Sequence, residues 1–178
     1  MRTLIVSALL GAAFAADEAD RVLSIPEMAT FDTYPVYSGY LNVAADKALH
    51  YMLVESQRDP VNDPLIIWFN GGPGCSSMLG FAQEHGPYMM VSGTDYWQVN
   101  PWSWNREANM LYIESPAGVG YSTCDDYAAC NNFSDAGVAS DNLTAVLAFF
   151  DKFPEFKTNK LWISGESYAG MYVPYLAN

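Results

Sequence analysis

Basic residues are scarce in this chain. Eight lysines and arginines stand against twenty aspartates and glutamates, for a formal net charge of −12. So acidic a surface repels phosphate backbones, which argues against nucleic-acid binding. Histidine occurs only at His50 and His85, and cysteine only at Cys75, Cys124 and Cys130. No metal-ligating cluster and no nucleotide-binding loop is formed, so neither metal nor cofactor is expected. Long apolar runs are missing too, apart from one short stretch at the N-terminus. What remains is globular in character: with 51% hydrophobic residues there is enough apolar surface to bury a core.

The N-terminal stretch has its own logic. Arg2 precedes the apolar run Leu4 to Leu10, and small residues lead to Ala13-Phe14-Ala15. This is the layout of a secretory signal peptide, expected over residues 1–15, and the run is too short to span about 30 Å of hydrocarbon. No membrane anchor is expected after its removal. Secretion permits disulfides. Cys124 and Cys130 flank a short polar loop and could pair locally, which leaves Cys75 as an odd thiol or one with a distant partner. The triplets Asn132-Phe133-Ser134 and Asn142-Leu143-Thr144 are glycosylation sequons, so exposed, modified Asn132 and Asn142 are expected.

Residues 16–36 read as an irregular lead-in, and residues 37–178 as one α/β unit. Tyr37–Val43 and Ala48–Glu55 predict an antiparallel hairpin at a sheet edge. His50, within it, is expected at the surface. Leu65–Phe69 and Asn109–Ile113 are short apolar runs bounded by turn residues, the pattern of strands buried on both faces. Ser134 is a predicted N-cap for a helix whose apolar stripe is Ala139, Leu143, Val146, Leu147 and Phe150, and Pro154 ends it. Lys160–Ser164 predicts another strand, followed by a sharp turn and a helix over Tyr172–Ala177. Strand and helix alternation implies a mostly parallel sheet.

Two strand ends carry the chemistry. Gly165-Glu166-Ser167-Tyr168-Ala169-Gly170 follows a strand and opens a helix, the setting of a nucleophile elbow. Such a turn is tight, so the residues two before and two after the serine must be small. Here they are Gly165 and Ala169, the alanine standing where glycine is usual. The elbow exposes the Ser167 hydroxyl and sets the Tyr168 N–H beside it as an oxyanion donor. The glycine-rich Asn70-Gly71-Gly72-Pro73-Gly74 ends a second buried strand and can bring further N–H groups to the same sheet edge.

With these motifs the chain resembles the serine carboxypeptidases (the carboxypeptidase Y and cathepsin A type). Trp68 to Ser77, Asn100-Pro101-Trp102-Ser103-Trp104-Asn105, Glu114 to Ser122 and Gly165 to Gly170 match that family in order. The resemblance runs from about Tyr37 to the end, and implies an α/β-hydrolase fold. It also implies that Ser167 attacks the scissile carbonyl and that Gly72 and Tyr168 supply the oxyanion N–H groups. Asn70, Gly71 and Glu166 would hold the C-terminal carboxylate of a peptide or protein substrate, with Glu84 hydrogen-bonded behind Glu166. In the family the counterpart of Cys75 pairs with a cysteine far downstream.

A serine hydrolase also needs a base and an acid, in the order Ser, Asp or Glu, His in this fold. No Asp, Glu or His follows Ser167. The expected reading is an N-terminal part of a serine-type carboxypeptidase of the secretory pathway, extracellular or in a lysosome or vacuole, inactive without its missing base. The alternatives are a carboxypeptidase-like acyltransferase and an inactive, truncated secreted binding protein. Oligomeric state is not legible.

Overall fold

Alternating side chains divide the sheet into two faces. On β3 (Leu65–Phe69), Leu65, Ile67 and Phe69 face one way and Ile66 and Trp68 the other. On β6 (Asn109–Ile113), Leu111 and Ile113 oppose Met110 and Tyr112 in the same manner. Both faces are covered, so these strands are apolar almost throughout rather than every second residue. The computed structural model describes residues 18–26, 34–91, 93–94, 96–126, 130 and 133–178. The expected signal peptide and Asn132 lie outside them.

The hairpin forms as expected. β1 (Val36–Ala44) pairs antiparallel with β2 (Lys47–Val54), opposing Tyr40 to His50. β4 (Tyr88–Met90) and β5 (Trp97–Val99) form a separate small ribbon. A two-residue strand, β7 (Thr123–Cys124), pairs with β2, and β8 (Leu161–Gly165) closes the run. The main order is β1-β2-β6-β3-β8. β3 pairs in parallel with β6 and with β8, while β2 pairs antiparallel with its neighbours. Only β2 therefore runs against the rest of this sheet. It lies one strand in from the edge, and this corrects the surface placement expected for His50, which is buried.

Ser134 caps α1 (Asp135–Lys152), its hydroxyl accepting from the Gly137 N–H at 3.1 Å, and Phe153 and Pro154 end the helix. The buried stripe is Val138, Asn142, Ala145, Val146 and Phe149. It is rotated from the expected one: Leu143 and Leu147 are exposed. The rotation follows from the aromatic anchor. Phe149 stacks on Phe153 at 5.1 Å and meets Tyr51 edge-on at 6.3 Å, which turns its own side of the helix to the sheet. The same rotation buries Asn142 completely, with neither amide atom hydrogen-bonded among the described residues. This corrects the expectation of an exposed Asn142. Truncating the anchor, Phe149→Ala, is expected to lower unfolding free energy by about 3–5 kcal/mol in a denaturant titration.

α2 (Ala169–Ala177) begins earlier than expected, directly after the elbow. No helix among the described residues is long and apolar enough to cross a membrane.

Candidate active site

β3 and β8 lie side by side, and their last residues, Phe69 and Gly165, are in register. The two chemical motifs therefore leave the sheet from adjacent strand ends. The Glu166 N–H donates to the Phe69 carbonyl at 3.2 Å, which ties the turns together.

Ser167 has φ of 55°, the one left-handed non-glycine among the described residues. That conformation costs an L-residue about 1–2 kcal/mol and is tolerated where surrounding structure enforces it. The enforcement is visible. The Ala169 N–H donates to the Glu166 carbonyl and the Gly170 N–H to the Ser167 carbonyl, both at 2.9 Å. A Cβ on Gly165 would lie 2.6 Å from that of Ala169, and one on Gly71 would lie 2.8 Å from the Glu166 carbonyl oxygen. Small residues at these points let the two turns meet. Ser167 stays exposed.

The second turn is closed by the Cys75 N–H donating to the Gly71 carbonyl at 3.0 Å. The N–H groups of Gly72 and Tyr168 donate to no acceptor among the described residues. Tyr168 is steadied by its hydroxyl, which donates to Asp135 Oδ1 at 3.0 Å, at the start of α1. A cleft of about 270 Å³, lined by Pro73, Gly74, Pro116, Val138, Tyr168 and Tyr172, opens beside the elbow.

Asn70 joins two other expected residues, Glu84 and Glu166. Its side-chain Nδ2 donates to Glu84 Oε1 at 3.2 Å and to Glu166 Oε1 at 3.0 Å. Its Oδ1 accepts from Trp68 Nε1 at 2.8 Å and from the Gly80 N–H at 3.1 Å, which fixes the orientation of the amide. Asn70 is buried, while Glu166 and Glu84 reach solvent. The expected direct bond between Glu84 and Glu166 is replaced by this shared amide. Glu84 sits at the end of a π turn, Gly80–Glu84. Burial pushes its carboxyl above the usual range and the Glu166 charge adds to this, against the opposing pull of the Asn70 hydrogen bond.

Neither histidine hydrogen-bonds to Ser167 among the described residues. His85 stacks on Trp104 at 4.3 Å, hydrogen-bonds Tyr112 through Nδ1 at 3.1 Å, and is pushed by burial down to about 4. His50 lies between Ser38 and the fully buried Glu114. Cys75 is an exposed free thiol, and Cys124 and Cys130 form a disulfide with Cα atoms 6.3 Å apart. Sequence reasoning gave no role to Ser76, Ser77 or Glu114. All three stand in the motifs that carried the resemblance, but their partners are distant in sequence.

A mixed sheet with a strained serine elbow at the ends of its parallel strands is an α/β-hydrolase fold. The family model for serine carboxypeptidase matches residues 26–178. The chain belongs to the serine carboxypeptidase family. It is 48% identical to the lysosomal protective protein of Mus musculus over 163 residues, 92% of this chain and 34% of that protein. It is 46% identical to serine carboxypeptidase ctsa-4.1 of Caenorhabditis elegans, with the same two coverages of 92% and 34%. Among solved structures it resembles a prohormone-processing carboxypeptidase, Kex1(delta)p, from Saccharomyces cerevisiae. The TM-score is 0.75 at 28% identity, covering 92% of this chain and 38% of that one. The chain thus spans about a third of the length of the curated relatives it matches.

Proposed function

We propose that the protein is a serine-type carboxypeptidase that releases C-terminal residues from peptides through an acyl-enzyme on Ser167. The observation that carries this reading is the meeting of the Ser167 elbow with the Asn70–Glu84–Glu166 cluster at adjacent strand ends. Ser167 Oγ attacks the scissile carbonyl, and the N–H groups of Gly72 and Tyr168 receive the developing oxyanion. The cluster, with the backbone of Gly71, holds the substrate's terminal carboxylate. A carboxylate can sit against Glu166 only by sharing a proton, and the upward shift of the neighbouring Glu84 carboxyl, caused first by burial, supports this reading. The general base is a residue other than His50 and His85, whose buried partners hold them elsewhere. The disulfide fits a secretory compartment, and the lysosomal relative supports a lysosome-like or extracellular destination.

The test compares an N-blocked dipeptide with its C-terminal amide, using protein expressed from its complete coding sequence. Release of the last residue from the free acid, with kcat/KM at least about 100-fold above that for the amide, is the expected result, since an unpaired polar site rejects the analogue. Equal turnover of the two would remove the carboxylate site, and transfer from an activated ester without peptide hydrolysis would favour acyl transfer.

A further inference from the structure

The turn that carries Gly72 is not held by its own hydrogen bonds alone. Both residues that follow it are anchored to the end of β6. Ser77 Oγ donates to the Ile113 carbonyl at 2.6 Å and accepts from the Asn70 N–H at 3.1 Å. Ser76 Oγ donates to Glu114 Oε1, and accepts from the Met78 N–H at 3.1 Å. Ser76 is the joint of this region: the Gly71–Cys75 turn lies before it and the π turn bearing Glu84 after it.

Glu114 is itself constrained on every side. Its Oε2 accepts from the Tyr121 N–H at 2.8 Å and is 2.9 Å from His50 Nδ1. His50 Nε2 lies 2.8 Å from Ser38 Oγ on the edge strand, so the imidazole bridges β1 to the carboxylate. Ser122 Oγ donates to the Glu114 carbonyl at 2.6 Å and accepts from the His50 N–H at 2.8 Å. Gly120, at φ of 56°, passes so close that a Cβ there would run into the carboxylate. Burial alone would push this carboxyl up, but the hydrogen bonds from His50, Ser76 and Tyr121 outweigh it and hold it below the usual range.

A buried charge is a poor way to gain stability, since its desolvation consumes most of what its partners return. It is a good way to fix a direction, because charge-assisted hydrogen bonds are short and oriented. We propose that Glu114, oriented by His50, is a positioning residue: through Ser76 it fixes the Gly71–Ser76 turn and with it the Gly72 N–H. The inference rests on the carboxypeptidase reading, in which that N–H faces the oxyanion. A donor that is aimed in advance lowers the barrier without reorganising. A donor displaced by even a fraction of an ångström stabilises the transition state less, while the side chains of Asn70 and Glu166, held by hydrogen bonds that do not pass through Ser76, stay in place for the terminal carboxylate.

The experiment measures kcat, KM and thermal unfolding for the protein from its complete coding sequence and for Ser76→Ala, Glu114→Gln and the double variant. The expected result is a fall in kcat of about tenfold or more in each single variant, with KM within about twofold. The double variant should be no slower than Glu114→Gln, because one linkage has been cut twice. Ser76→Ala deletes a single half-buried hydroxyl, so it carries the test if Glu114→Gln does not fold. A folded Ser76→Ala with unaltered kcat, or a loss confined to KM, overturns the inference. Absence of turnover by the unaltered protein would overturn the carboxypeptidase reading and this inference together, whereas normal turnover with unaffected variants overturns only this one.

Discussion

Replacing Ser167 by alanine is expected to lower kcat by a factor on the order of 10⁵–10⁶ in the protein expressed from its complete coding sequence, with KM little changed. The nucleophile and its base act as a unit, so losing either removes nearly all of their joint effect. The N–H groups proposed for the oxyanion and the proposed carboxylate site are untouched by the substitution, so substrate is expected still to bind and a residual rate above water to remain. Steady-state release of the last residue from a blocked dipeptide measures both parameters. Turnover within tenfold of the unaltered protein would mean that Ser167 is not the nucleophile.

The backbone supplies a control. Ser167 is left-handed at φ of 55°, and alanine inherits the strain. Glycine does not, so Ser167→Gly should be as inactive as Ser167→Ala and more stable than it, by at most about 1–2 kcal/mol in thermal or denaturant unfolding. Inactivity combined with higher stability separates a catalytic loss from damage to the scaffold. A Ser167→Gly protein less stable than Ser167→Ala would show that the turn is not strained.

Much of this site was legible because its parts are local. Gly165 to Ala169 states the steric rule of the elbow in five consecutive residues, and the structure shows why, since a Cβ on Gly165 would meet Ala169. The buried strands β3 and β6 were legible because short apolar runs bounded by turns, five residues in β3 and four in β6, have few other solutions. The rotation of α1 was not. Leu143 and Leu147 satisfy the helical period as well as Val138 and Ala145 do, and the choice between the two stripes is made by Phe149 against Tyr51 on β2 and Phe153 just past the helix end. His50 was misplaced for a related reason. A hairpin fixes β1 against β2 but does not say which strand continues the sheet, and pairing of β2 with β6 is what buries it. Glu84 was reached through the family resemblance alone, because 14 residues separate it from Asn70 and only the π turn brings them together. The small ribbon of β4 and β5 was missed because three-residue strands show no readable period.

Substrate binding is expected to weaken as pH rises, through KM rather than kcat. Asn70 Nδ2 already serves Glu84 and Glu166, so a third carboxylate entering this corner needs a proton as well as a donor. Glu84 binds one more readily than a free carboxylate does: burial raises its affinity for the proton, against the pull of the Asn70 hydrogen bond, and the charge of Glu166 raises it further. The sign follows from linkage. Substrate binds the protonated corner, so binding takes up a proton, and KM rises once that proton is lost. For one proton the slope is about tenfold in KM per pH unit above the raised pKa, and it flattens below it. Glu84→Gln separates this from a general pH effect. The amide is neutral at every pH and can still hydrogen-bond, so it removes one of the two charges that compete for the proton. The variant should show a shallower rise, and at mildly alkaline pH it should bind substrate better than the unaltered protein does. The same reasoning makes Glu166→Gln flatten the profile. Stability points the same way. A carboxyl whose folded pKa lies above its unfolded one is best tolerated protonated, so charging Glu84 as pH rises disfavours the folded corner as well as the bound substrate. A KM that stays constant from acidic to mildly alkaline pH would show that the terminal carboxylate is not held by these two glutamates.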